Sequence, residues 1–168
     1  MFKPVLIAWS ADRKAFIFLQ LCYALLVLQN LSVLFFYHDE TDYFIYSIHG
    51  LAPLLFLIVS ASLVLNVLTV YYFNCRMLKG YYTALMSLVL LWGQGILSVS
   101  LAMQDIEAVR AAYRVGRGLR GLHDDTAATL STNSMLTMLV GLSVMYLVIL
   151  LFVLRSKDYL LVDDEEPL

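Results

Sequence analysis

Acid–base, metal or nucleophilic chemistry needs His, Asp, Glu, Cys or Lys side chains held together, and in this chain they gather in few places. His38, Asp39, Glu40, Asp42 and His49 form one group, and His123, Asp124 and Asp125 form another. Imidazole beside carboxylate is the ligand chemistry of zinc or copper and the switch chemistry of pH sensing. The spacing matches no metal-ligand motif, so neither a metal nor any other cofactor is expected. Cys22 and Cys75 stand apart, with no paired redox or zinc motif. Membrane phosphotransferases, desaturases and intramembrane proteases need such residues clustered at a cavity. The long apolar stretches of this chain contain no Asp, Glu, His, Lys or Arg. No catalytic residue is assigned, and an enzyme is not expected.

The positions of the charges define the elements that carry these groups. Of 168 residues, 61% are hydrophobic and 14% charged, with a mean hydropathy of +0.80. Soluble domains run near 45–50% apolar and about 25% charged, so a bilayer must solvate much of the chain. A net charge of −2 offers no basic field to nucleic acid. An ionised side chain at a span centre costs about 2.5–3.5 kcal/mol, and four stretches are free of charge: 15–36, 50–73, 81–103 and 135–154. Each is long enough to cross a hydrocarbon core of roughly 30 Å. The expected fold is all-α, an integral membrane four-helix bundle over 15–154. A cytoplasmic N-terminal segment, 1–14, precedes it and an acidic cytoplasmic tail, 155–168, follows. Ser10 and Asp12 are expected to cap the first helix. Trp9 is expected at the interface. The first apolar run is too long for a signal-peptide core and reads as a retained helix.

With the N-terminus inside, the cytoplasmic side holds Lys3, Arg13, Lys14, Arg76, Lys79, Arg155 and Lys157, and the outer side holds Arg110, Arg114, Arg117 and Arg120. The excess places both termini in the cytoplasm. The third, outer loop predicts a short amphipathic helix on the membrane surface. Ala108, Ala111, Ala112, Val115, Leu119 and Leu122 share one face, and Arg110, Arg114 and Arg117 the other. The acidic hairpin bearing Asp39, Glu40 and Asp42 is expected to dock on those arginines, an interaction that orients loops rather than holding the fold.

Amides inside the spans are costly in lipid unless they face other helices. Depth sorts them into two layers, Gln20 with Asn66 near the cytoplasm and Gln29, Asn30 and Gln94 near the outside. Interhelical contacts are expected within each layer. A water-lined path joining the layers would indicate transport; dry, paired amides would indicate a scaffold. Small residues Ala84, Ser87, Gly95, Ser98 and Ala102 recur along the third span and permit close backbone approach. In the cytoplasm, Cys75 lies beside basic residues where palmitoylation occurs. Tyr159 to Val162 resembles a tyrosine-based sorting signal.

Four helices, cytoplasmic ends, a tight inner turn and no catalytic motif together resemble the plan of MARVEL-like four-span membrane proteins, including small fungal members. The likeness covers 15–154 in layout, and the long Arg-bearing outer loop departs from it. It implies a role in organising membrane domains or accompanying other membrane proteins in trafficking. The partners so implied are the lipid bilayer, other membrane proteins and further copies of the chain. The alternatives are an accessory subunit of a larger membrane enzyme and a small transporter or channel subunit.

Overall fold

The computed structural model describes residues 3–119 and 130–162, and among them every regular element is helical. The helices are α1 (Lys3–Phe35), α2 (Thr41–Ile48), α3 (Ala52–Asn74), α4 (Lys79–Gln104), α5 (Ile106–Gly118) and α6 (Thr132–Val162), with a 3-10 turn at Tyr37–Asp39. Four segments are long and apolar enough to cross a membrane: Lys14–Phe35, Ala52–Asn74, Lys79–Gln104 and Thr132–Lys157. They match the four charge-free stretches.

Two helices run past those stretches. α1 begins by Lys3, so Ser10 and Asp12 lie within the helix and neither caps it. Nothing from residue 5 to residue 13 breaks a helix, and Pro4 is tolerated in a first turn. At 33 residues, α1 is about 50 Å long, well beyond a bilayer core. α6 extends at its C-terminal end through Val162.

Termini and turns follow ordinary capping chemistry. Ser131 and Ser134 cap the start of α6 reciprocally, each hydroxyl accepting from the other's amide N–H at 3.1 and 2.8 Å. Pro53 sits in the first turn of α3, where its missing N–H costs nothing. Gly50, at φ +68°, closes α2, with Leu51 N–H donating to the Tyr46 carbonyl and Gly50 N–H to that of Ser47. The same closure ends α3, but Arg76 takes the left-handed position at φ 52°, with Met77 N–H on the Tyr72 carbonyl.

The long helices pack as a closed ring in the order α1, α3, α4, α6. Phe16 of α1 meets Phe73 of α3 and Phe18 meets Phe152 of α6, so neighbours are antiparallel and the overhangs of α1 and α6 share one end. The interior of that end is filled by Leu19, Tyr23, Phe73, Leu88, Val153 and Leu160. The opposite end is filled by Ile45 and Tyr46 of α2 together with Leu55, Val99, Ala102 and Val109. Polar groups pin the ring together. Tyr23 donates across its diagonal to the Ala84 carbonyl at 2.8 Å, Trp92 Nε1 donates to Ser143 at 3.0 Å, and Thr69 donates to Thr83 at 3.0 Å. The small residues Ala84, Ser87, Ser98 and Ala102 are all buried. Their stripe serves close packing inside the bundle.

Candidate functional site

The first interhelical connection brings carboxyl and amide side chains together at one end of the bundle. Tyr37, at the foot of α1, packs edge-on against Tyr43 and Phe56 and donates to the Ala52 carbonyl. His38 stacks edge-on against Tyr43 at 4.7 Å. α2 is then fixed from two sides. Ile45 and Tyr46 are buried against α3 and α4, and Phe44 crosses the Tyr113 ring of α5 at 5.4 Å. His49 Nε2 lies 3.2 Å from the Leu101 carbonyl and fastens the far end. Gly116 lets α5 close on α2, since a Cβ there would stand 2.4 Å from the Phe44 ring.

Clamped in this way, the start of α2 turns Asp42 inward, where its Oδ2 accepts from Gln94 Nε2 of α4 at 3.3 Å. Glu40, the residue before the helix, makes no side-chain cap. Both carboxyls line a cavity of about 290 Å³, together with Gln29 and Asn30 of α1 and Gln94 of α4. Val33, Val59, Leu91, Met138 and Leu142 form its apolar walls, so all four long helices contribute. Among the described residues lining the cavity there is no Lys, Arg or His. Burial pushes the Asp42 carboxyl above the usual carboxylate range, and the Gln94 and Ser98 side chains offset only part of that shift. Burial, followed by the neighbouring Asp42 charge, raises Glu40 as well. Asn30 is only 6% exposed, and its Nδ2 has no hydrogen-bond partner.

No family model, curated protein or solved structure matches this chain.

The structure rearranges several sequence expectations. Gln20 does tie α1 to α3, but through Asn74 Oδ1 at 3.1 Å. Asn66 instead accepts from Ser87 of α4, because it lies just over two turns from Asn74 along α3. Gln29, Asn30 and Gln94 do share one level, around the cavity. Two of the charges expected to join the acidic hairpin to the arginines, Asp42 and Arg110, make other contacts. Asp42 faces Gln94, and Arg110 pairs with Glu107 at 2.5 Å and donates to the Leu130 carbonyl. Arg117 lies 5.5 Å over the Tyr113 ring. Asp39 and Arg114 are both exposed.

The contact between α2 and α5 uses two residues outside the apolar face expected at the membrane surface. Val109 and Tyr113 are buried, while Val115 and Leu119 are 63% and 84% exposed. The wide Tyr113 ring fills the space over Phe44. Asp105 caps this helix, accepting from Ala108 N–H at 2.9 Å.

Elsewhere, Cys75 is exposed in the turn between α3 and α4. The backbone of Tyr159 to Val162 continues α6, with Leu160 buried between them. A linear signal here would have to unwind before it could be gripped as an extended peptide. Arg120, Leu122, His123, Asp124, Asp125 and the acidic end of the tail lie outside the described residues. Among the described residues no group of three His, Cys, Asp or Glu could hold a metal.

The signal that sequence reasoning missed is α2 itself. Tyr43, Phe44, Ile45 and Tyr46 followed by Gly50 and Leu51 are an apolar run with a glycine helix stop. The three carboxylates at 39, 40 and 42 concealed it by making the segment read as a polar hairpin.

Proposed function

We propose that this chain is a non-enzymatic, multi-pass membrane protein with both termini in the cytoplasm, which organises membrane domains or accompanies other membrane proteins in trafficking. The observation that carries this reading is the separation of the interior polar groups into compartments that do not join. Gln20 and Asn74 meet at one end. Asn66 and Ser87 are buried at mid-bundle, with Ser62 and Thr69 buried one turn away on α3. Leu19, Tyr23, Phe73, Leu88 and Val153 fill the interior of the end at which Gln20 and Asn74 meet. A transport path needs continuous polar lining, and the packed layer at that end interrupts it.

The outward faces support the same reading. Leu21, Leu25, Leu28, Leu57, Val64 and Leu151 are all exposed, a surface suited to lipid or to another apolar helix. α5 then acts as the amphipathic element of the outer membrane surface, with Val115 and Leu119 turned to lipid and Arg110 and Arg114 at the headgroups. The four-span layout shared with MARVEL-like proteins points the same way. Cys75, exposed beside Arg76 and Lys79, is the proposed site of palmitoylation on the cytoplasmic side.

Affinity purification in mild detergent tests this function. The chain is expected to be recovered alone, as a homo-oligomer or with a membrane protein that it accompanies, and reconstituted vesicles are expected to show no ion or solute flux. Stoichiometric recovery of an enzyme would replace this reading with an accessory-subunit role, and flux would replace it with transport.

A further inference from the structure

We propose that the outer cavity binds a small protonated amine that carries a hydroxyl or carbonyl oxygen beside the ammonium and a short apolar body. This binding role goes beyond the organising role and rests on the cavity alone. Three features of the lining select the ligand. Two carboxyl groups, Glu40 and Asp42, face the same space, and no described lining residue carries a positive charge. Both acids are half-buried, so a cation or a proton beside them is favoured, and the single amide bond from Gln94, at 3.3 Å, supplies neither. An ammonium group brings both the charge and several N–H donors.

The second feature is Asn30. Its Nδ2 is a donor with no acceptor on a side chain only 6% exposed that lines the cavity. A buried donor left unmade costs about 1–3 kcal/mol, so an acceptor on the ligand, close to its ammonium, completes the site. The third feature is the wall. Val33, Val59, Leu91, Met138 and Leu142 offer no polar group to a ligand body, which suits an alkyl chain. A volume of about 290 Å³ equals the share of about ten water molecules in the liquid, room for a short chain or for the head end of a long one. A phosphate or carboxylate on the ligand would face both acids and be repelled. The ligand is therefore an amino alcohol or similar amine without an anionic group. It can reach the site as a soluble amine or as the head of a lipid of the sphingoid-base type.

The full chain, purified in detergent, tests the assignment by thermal melting and by displacement of radiolabelled aminooctanol with the amine and hydroxyl on adjacent carbons. Aminooctanol is expected to raise the melting temperature in a saturable manner, with octylamine weaker and octanol and octanoate without effect. Asp42→Asn and Glu40→Gln are each expected to weaken aminooctanol binding by about tenfold or more. Asn30→Ala is expected to remove the preference for aminooctanol over octylamine. Melting of each variant without ligand checks its folding, and the comparison of the four probes on the wild-type chain stands without any variant. In lipid nanodiscs, displacement by a long-chain sphingoid base would support a lipid source, and displacement by soluble amines alone an aqueous one. Octanol competing as well as the amines, or both carboxyl variants retaining wild-type affinity, would overturn the proposal.

Discussion

Phe73→Ala is expected to destabilise the bundle by about 2 kcal/mol or more, whereas Phe35→Ala should change stability by less than about 0.5 kcal/mol. Phe73 is 0% exposed and Phe35 81%. The Phe73 ring sits against Phe16 at 5.2 Å and Tyr23 at 6.1 Å. In water, deleting a buried phenylalanine costs about 3–5 kcal/mol as a transfer term plus a cavity term. In a bilayer the separated helix keeps its ring in hydrocarbon, so the transfer term falls away and the packing term remains. Gly80 tests the same contact from the other side, because a Cβ there would lie 2.6 Å from Phe73 Cδ1. Gly80→Ala should therefore cost about 1–3 kcal/mol alone. Combined with Phe73→Ala it should cost less than the sum of the two, since the new methyl enters the vacated space. Reversible unfolding in mixed detergent micelles, read by helical circular dichroism, gives all four values.

Asp42→Asn is expected to make the unliganded protein more stable than wild type at alkaline pH and to lose that advantage on acidification. The Asp42 carboxyl titrates above its ordinary range because it is buried, so the folded chain holds a proton that the unfolded chain has already released. Stability therefore falls as pH rises from the ordinary carboxylate range through the raised folded value, by at most about 1.4 kcal/mol per pH unit for one proton. Below the ordinary range both states are protonated and the slope vanishes. The asparagine variant keeps the shape and lacks that proton. Glu40, raised in the same direction, leaves a residual slope that Glu40→Gln should remove. Burial raises the Tyr46 phenol of α2 further from this window. Melting temperatures from acid to alkaline pH check the sign. A wild-type chain that grows more stable relative to Asp42→Asn as pH rises would contradict it.

The spans were legible because one strong term decides them. The cost of an ionised group in hydrocarbon clears charge from 15–36, 50–73, 81–103 and 135–154, and helices occupy all four. Helix ends were less legible, because α1 continues through Asp12, Arg13 and Lys14, and a charge that ends a span does not end a helix in water. Contacts across the bundle were least legible. Gln94 and Asp42 lie 52 positions apart, and an acid beside a span end reads as solvated unless the aromatic clamp of Tyr37, Tyr43 and Phe44 is known. The docking face of α5 was not legible for a related reason. Helical periodicity ranks residues by apolar character, while burial there follows the fit of Tyr113 over Phe44 and of Gly116 beneath it.

Thiol labelling with a membrane-impermeant reagent tests the central claim, that four spans enclose compartments closed from one another, with the acidic connection outside and the Cys75 turn inside. Asp39→Cys, in an exposed position, and Asn66→Cys, at a fully buried one, are each compared with native Cys75 in chains whose other cysteines are replaced by serine. In intact cells Asp39→Cys should label, Cys75 should label only after permeabilisation, and Asn66→Cys should stay unlabelled in both conditions. Labelling of Cys75 from outside, or of Asn66→Cys from either side, would contradict the account.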